Sequence, residues 1–363
     1  MSKTKTLSKT GRDHLITYGM VIIIYIVVEI LLHAGLINNQ MQGLLVPVCY
    51  YSICAVALNL CVGILGELSL GHAGFMCVGA FASAIWSYQM QNTSMPAGLR
   101  FFIAFLIGIA AAMIIGVIIG IPVLRLDGDY LAIVTLAFGE IIKNLNSALF
   151  LGIDSKGVHL SLKSAIYLNL EDGVDPIVNG AQGIAGTPRD ANFTIAVIVL
   201  LISLFIVQNL IDSRDGRAIM AIRDNRIAAE ATGINITKYK MLAFVISAGI
   251  AGAAGVLYSH NISTLVSQSQ YFGYNVSILI LVYVVLGGIG NMRGSVIATA
   301  ILYILPELLR GLNKYRMFVY SIVLIVMMLL NWAPAAVIFR KKLFARFRKN
   351  EGTAEGGRKN GTA

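Results

Sequence analysis

The sequence predicts an all-α, polytopic membrane protein with about ten transmembrane helices. Three observations carry this reading. Apolar residues make up 57% of the 363 residues and charged residues 13%, and a soluble domain carries about 25% charged residues to cover its surface. The mean hydropathy is +0.77. Apolar runs of helical length recur along the chain, and one crossing takes roughly 20 apolar residues. Secreted disulfide scaffolds, disordered proteins and nucleic-acid binders are excluded; the formal charge of +10 sits in tails and loops rather than on one basic face.

The first run, 15–37, follows Lys3, Lys5, Lys9 and Arg12. It exceeds the 7–15 residues of a signal-peptide core and reads as an uncleaved span. Further runs lie at 43–65, 73–90, 101–124, 129–150, 193–211, 241–260, 277–290, 295–312 and 317–338. The run 129–150 contains Glu140, Lys143 and Asn144, and 277–290 is short, so either fits a re-entrant or broken helix. Cys49, Cys54, Cys61 and Cys77 form no metal-spaced set and read as small buried hydrophobes.

Orientation follows from the positive-inside rule. The N-tail, the loop 212–240 and the C-tail hold 18 of the 28 basic residues, which puts all three on the cytoplasmic side. Loop 153–191 then lies outside with a net charge of −2. Arg310, Lys314 and Arg316 face outward in this scheme and run against the rule. The chain divides into a cytoplasmic tail (1–14), a transmembrane domain (15–338) and a basic, disordered cytoplasmic tail (339–363) whose cluster sits at anionic headgroups.

The most informative segment is 213–257. Ala218, Ile219, Ala221, Ile222, Ile227, Ala228 and Ala231 recur at helical steps, with Arg217, Arg223, Asp224, Arg226 and Glu230 on the other face. Gly233 ends this helix, and Asn235 with Thr237 caps the next. Two readings stand: a rigid face for a soluble partner, or a helix lying flat on the membrane. The run 241–260 is rich in Gly, Ala and Ser, and Gly116-x-x-x-Gly120 repeats that pattern; both read as close helix packing.

Glu67, Ser69, Gly71 and His72 interrupt an apolar region. They read either as a cavity-lining stretch or, slightly favoured, as a cytoplasmic loop that leaves Glu67 and His72 solvated. Thr135 and Glu140 lie in the segment 125–143, where Glu140 and Lys143 are spaced to pair, and Asp127-Gly128-Asp129 reads as a turn. Glu29 and His33 are spaced to pair near the outer end of the first run. Val178–Pro188 reads as an irregular turn region, either a docking surface or a connection. No phosphate-binding loop, zinc-protease motif, nucleophile elbow or cofactor fingerprint occurs, so energy for transport comes from a partner or an ion gradient, and neither an enzyme nor a bound cofactor is expected.

Segments 66–84, 125–143, 178–188 and 213–296 resemble, in order, the inner-membrane permeases of branched-chain amino acid ABC importers, and more narrowly their M-type subunit. Ala228–Gly233, A-A-E-A-T-G, resembles the EAA-type coupling loop that contacts the ATPase. The run Val284–Leu302 also fits, except that Asn291-Met292-Arg293 is more polar than the family's usual version. The resemblance implies an ABC importer permease fold, a second H-type permease subunit, two ATPase subunits and an extracytoplasmic binding protein, with plasma-membrane localisation and both termini cytoplasmic. It assigns Arg217, Arg223, Asp224, Glu230 and Gly233 to coupling, and makes Glu67, Ser69, Gly71, His72, Thr135 and Glu140 candidates for the translocation path. The acidic outer loop makes Asp172 and Asp175 candidates for docking the binding protein. A urea or short-amide permease of the same superfamily and an ion-coupled secondary transporter are the alternatives; the latter lacks a convincing internal repeat.

Overall fold

A computed structural model describes residues 9–332 apart from 92, 94, 127, 155–156 and 171–174. The expectations for Lys3 and Lys5, Asp127, Asp172 and the tail 339–363 fall outside the described residues.

Each predicted run coincides with a helix. The helices in order are α1 (Lys9–His33), α2 (Asn39–Asn59), α3 (His72–Gln89), α4 (Ala97–Val123), α5 (Asp129–Ala148), α6 (Phe193–Asp212), α7 (Arg214–Asp224), α8 (Arg226–Ala231), α9 (Ile236–Ser259), α10 (Ser269–Phe272), α11 (Tyr274–Gly287), α12 (Met292–Leu308) and α13 (Arg316–Trp332), and the ten runs fall on α1–α6, α9 and α11–α13. Among the described residues, seven segments are long and apolar enough to cross a membrane; α3, α5 and the shorter α13 are not among them. α5 carries charge, and α3 is diluted by Gly, Ala and Ser.

The chain forms two compact units, divided after Ile301. In the first, α2 and α9 are the central helices, with 89% and 78% of their most apolar stretches buried. α3 and α4 pack on α9 through small residues, as the small-residue runs predict. A Cβ on Gly255 would sit 2.0 Å from the Met76 carbonyl oxygen, and one on Gly252 would sit 2.4 Å from the Ala112 Cβ. Lipid is as apolar as leucine, so such approach gains dispersion and close packing rather than hydrophobic transfer. Pro47 lies inside α2, which continues past it and ends in a π-helical turn, Leu60–Leu65.

α5 is uninterrupted, whereas Gly273 breaks the chain between α10 and α11. Between α5 and α6 the loop holds short strands and two 3-10 turns, Ala165–Leu168 and Gly180–Gln182. β1 (Phe150–Asp154) pairs antiparallel with β2 (Gly157–Ser161) and with β3 (Val178–Asn179), in the order β2-β1-β3. β4 (Ile184–Ala185) pairs with β5 (Thr264–Leu265), stitching this loop to the segment after α9. The second unit holds the end of α12, a 3-10 stretch Leu309–Tyr315 and α13, with Arg310 paired to Glu307 at 3.0 Å.

Candidate functional site

The loop 212–240 is a capped helical hairpin. The Ser213 hydroxyl accepts from Gly216 N, Asn225 Oδ1 from Ala228 N, and Asn235 Oδ1 from Lys238 N. These caps start α7, α8 and α9 in turn. The single helix expected up to Gly233 is therefore two. Asn225 leaves the helical region (φ −156°, ψ 103°), and its side chain satisfies the next helix's free amide instead. Gly233, at φ +84°, makes the turn that side chains resist.

The break rotates the apolar stripe. Ile219 and Ile222 are buried within the chain, and Ile222 joins Ala229 and Ile236 in a small core with Ala221, Ile234 and Tyr239. Ile227, Ala228 and Ala231, expected on the same stripe, face outward, with Ile227 81% exposed. Glu230, Asp224 and Arg217 are exposed beside them, and Arg217 also donates to the Asp212 carbonyl at 2.9 Å. Arg223 turns inward. Its Nη1 donates to the Gly63 carbonyl at 2.9 Å, while Nε and Nη2 hold Asp224.

Ser69, Gly71, His72 and Thr135 lie near the N-terminal ends of α3 and α5, with Glu67 in the loop before α3. The expectation of a solvated Glu67 and His72 is overturned. Lys240 donates to Glu67, and their side chains are 4% and 15% exposed. His72 is buried, with Nε2 2.7 Å from Ser247 Oγ, which donates to the Ala57 carbonyl at 2.6 Å. That direction makes His72 Nε2 the donor and leaves Nδ1 to accept from Ser69 Oγ, 3.4 Å away. Thr135 Oγ1 accepts from Leu70 N at 3.0 Å, and a Cβ on Gly71 would sit 2.8 Å from the Thr135 carbonyl oxygen. Ser69, Gly71, His72 and Thr135 thus meet at one crossing of α3 and α5.

Glu140 belongs to a second cluster. It pairs with Lys143, as the spacing predicts, and accepts from Tyr274 N at 2.7 Å; Lys143 also donates to Ser269 Oγ at 2.7 Å. Sequence reading missed Lys240, Ser247 and Ser269 because their partners stand far away in the chain. The usable signal was a serine or lysine inside an apolar run. Among the described residues no group of three or more His, Cys, Asp or Glu side chains is placed to hold a metal ion.

At the other end of these helices, Arg100 and Asp190 form a buried ion pair at 2.8 Å, and His260 Nε2 lies 2.7 Å from Ser87 Oγ. Burial holds the His260 imidazole below its ordinary range, against the raising effects of the Val256 carbonyl and Asp190. Asp175 is exposed, as a docking residue needs to be. The hairpin nearby also exposes an unforeseen apolar face, Val158, Leu160, Leu162, Ile166 and Tyr167, while His159 turns inward to Asp154 at 3.0 Å. Glu29 and His33 approach to 3.9 Å, the expected pair.

Residues 40–330 match the family described as branched-chain amino acid transport system / permease component. The chain belongs to that family. The branched-chain amino acid permease LivM of Escherichia coli is 33% identical over 299 residues, 79% of this chain and 67% of that protein. The fructose import permease FruG of Bifidobacterium longum is 24% identical over 83% of this chain and 85% of its own length. The branched-chain amino acid permease LivH of Escherichia coli is 25% identical over 81% of this chain and 92% of its own length. No solved structure matches. As a permease-family chain it is a transport component rather than an enzyme, and its capped hairpin coincides with the segment A-A-E-A-T-G.

Proposed function

We propose that this chain is the M-type membrane-spanning subunit of an ATP-driven importer that moves leucine, isoleucine and valine inward across the plasma membrane. The observation that carries the reading is the capped hairpin α7–α8 in a chain of this permease family. Its helices are capped, it lies between two apolar helices, and it offers Ile227, Ala228 and Ala231 with Glu230 on an exposed face. Such a face suits a groove on a soluble ATPase better than a lipid surface, because its apolar area is small and flanked by charge of both signs. The permease partner is an H-type subunit, two ATPase subunits sit on the cytoplasmic side, and an extracytoplasmic protein delivers the amino acid to loop 153–191, with Asp172 and Asp175 as contacts. The seven long apolar segments together with α3, α5 and α13 make ten crossings, with both tails and the hairpin cytoplasmic.

The deciding experiment is uptake of radiolabelled leucine by the purified four-subunit complex with its binding protein, competed by isoleucine and valine. Uptake of urea or a short amide instead would transfer the chain to the runner-up substrate class. Glu230→Lys should leave the subunit inserted but lose ATPase association or transport, and Gly233→Val should do the same by redirecting the turn. Wild-type uptake by an assembled Glu230→Lys complex rejects the coupling role. Orientation is tested by thiol labelling from outside, which should reach Lys163→Cys and spare Arg217→Cys.

A further inference from the structure

From the inward turn of Arg223 we infer that this residue is a strut, a positioning residue that hands displacement of the coupling hairpin to the inner end of α2 and to the turn before α12. The inference rests on the coupling role proposed for the hairpin and adds a route and a residue to it.

The route is continuous in named contacts. α2 ends in the π-helical turn Leu60–Leu65, and the last carbonyls of a helix lack an intrahelical donor. The guanidinium of Arg223, in the last turn of α7, supplies that donor at the Gly63 carbonyl, 2.9 Å away. Asp224 holds the fork from the other side, accepting from Nε at 3.1 Å and from Nη2 at 2.9 Å. The stem reaches the helix end over Gly66, where a Cβ would stand 2.5 Å from the Arg223 Cγ; Gly66 itself has φ +81°. Two glycine properties, absent side chain and left-handed backbone, therefore coincide at the one place the stem crosses.

The same π turn presses on the turn Gly288–Asn291. A Cβ on Gly63 would sit 2.4 Å from Gly290 N. Asn59 Oδ1 accepts from Gly290 N at 2.7 Å, and Asn59 Nδ2 donates to Ser295 Oγ at 2.8 Å. Hairpin, α2 and the start of α12 are thus joined with no slack wider than a hydrogen bond. Direct contacts of this kind pass a small shift from one element to the next. A guanidinium suits the task because its planar fork is fixed by two partners at once, which an ammonium is not. One Arg223 donor is directed inward to Gly63 and two are held by the exposed Asp224, so the residue joins the hairpin to the end of α2.

The test uses the assembled importer in proteoliposomes and reads amino acid imported per ATP hydrolysed. Arg223→Ala should keep ATPase subunits bound and hydrolysis running while this ratio falls about tenfold. Arg223→Lys, which can still reach one carbonyl, should recover part of it. Assembled Arg223→Ala with the wild-type ratio overturns the proposal. Should Arg223→Ala fail to assemble, Asp224→Asn decides: it loosens the fork at an exposed position, is expected to lower the ratio about threefold, and an unchanged ratio overturns the strut. Glu230→Lys run in parallel separates the two levels. If Glu230→Lys disrupts coupling and the Arg223 and Asp224 variants do not, the strut fails and the coupling reading stands; if Glu230→Lys transports normally, the coupling reading fails first.

Discussion

α1 and α9 are apolar helices of nearly equal length, 25 and 24 residues, yet they occupy opposite environments. In α1 only 11% of the most apolar stretch is buried, against 78% in α9. Hydropathy points the wrong way, 2.5 for α1 and 2.0 for α9. The difference lies in side-chain size and in polar bonds. α1 shows Ile23, Ile26, Val27 and Ile30 outward, each about half exposed or more. α9 carries Gly249, Gly252 and Gly255 at the crossings, and Ser247 and Lys240 bonded to α3 and to the loop before it. In a bilayer, then, apolarity selects what is membrane-spanning, and small size with satisfied polar groups selects what is central.

The comparison breaks most severely at Gly255. Gly255→Leu needs room where the Met76 carbonyl already stands, so the α3–α9 crossing must open. The expected result is loss of monodisperse subunit on size-exclusion chromatography, with Ile23→Leu in α1 indistinguishable from wild type. Next is the ion pair at the start of α9. Lys240→Met strands a Glu67 carboxylate that is 15% exposed, and breaking a buried pair costs about 3–5 kcal/mol. Thermal unfolding in nanodiscs should show it, and Glu67→Gln combined with Lys240→Met should recover much of the loss.

Ser247→Ala is a smaller cut. It leaves the Nε2–H of His72 without its acceptor in a buried site, at about 1–3 kcal/mol. The equivalent change in α1, Tyr25→Phe, removes an exposed bond to Thr194 and should shift the melting temperature negligibly. The smallest effect concerns acid. Burial lowers the folded-state affinity of His260 for a proton, so the neutral form is the one the fold favours. That stabilisation is complete above the ordinary value of 6.5 and is lost as pH falls from there through the lowered folded value. The melting temperature should drop on acidification below pH 6.5 more steeply in wild type than in His260→Gln; equal slopes would remove His260 from the account.

Much of this was legible in the chain alone. Apolar runs of crossing length gave the helices, because backbone polar groups in lipid must be satisfied within one segment and leave few other structures. Small-residue spacing marked the packed crossings around Gly116 and Gly252, and i, i+3 spacing gave Glu140–Lys143, since both signals are local to one helix. Gly233 and Asn235 announced the end of one helix and the start of the next through backbone preference alone. Where a signal depended on partners distant in sequence, it was silent or misleading. Glu67 and His72 read as solvated because Lys240 and Ser247, more than 170 positions away in the chain, supply the bonds that make their burial tolerable. Spacing puts Ile227 on one stripe with Ile219 and Ile222, but the backbone excursion at Asn225 parts them, leaving Ile219 and Ile222 buried and Ile227 exposed. Arg223 read as a surface charge until the end of α2 was brought beneath it. Local spacing fixes which residues can share a helix face; which face is inside depends on the element that arrives there, and only the tertiary structure decides that.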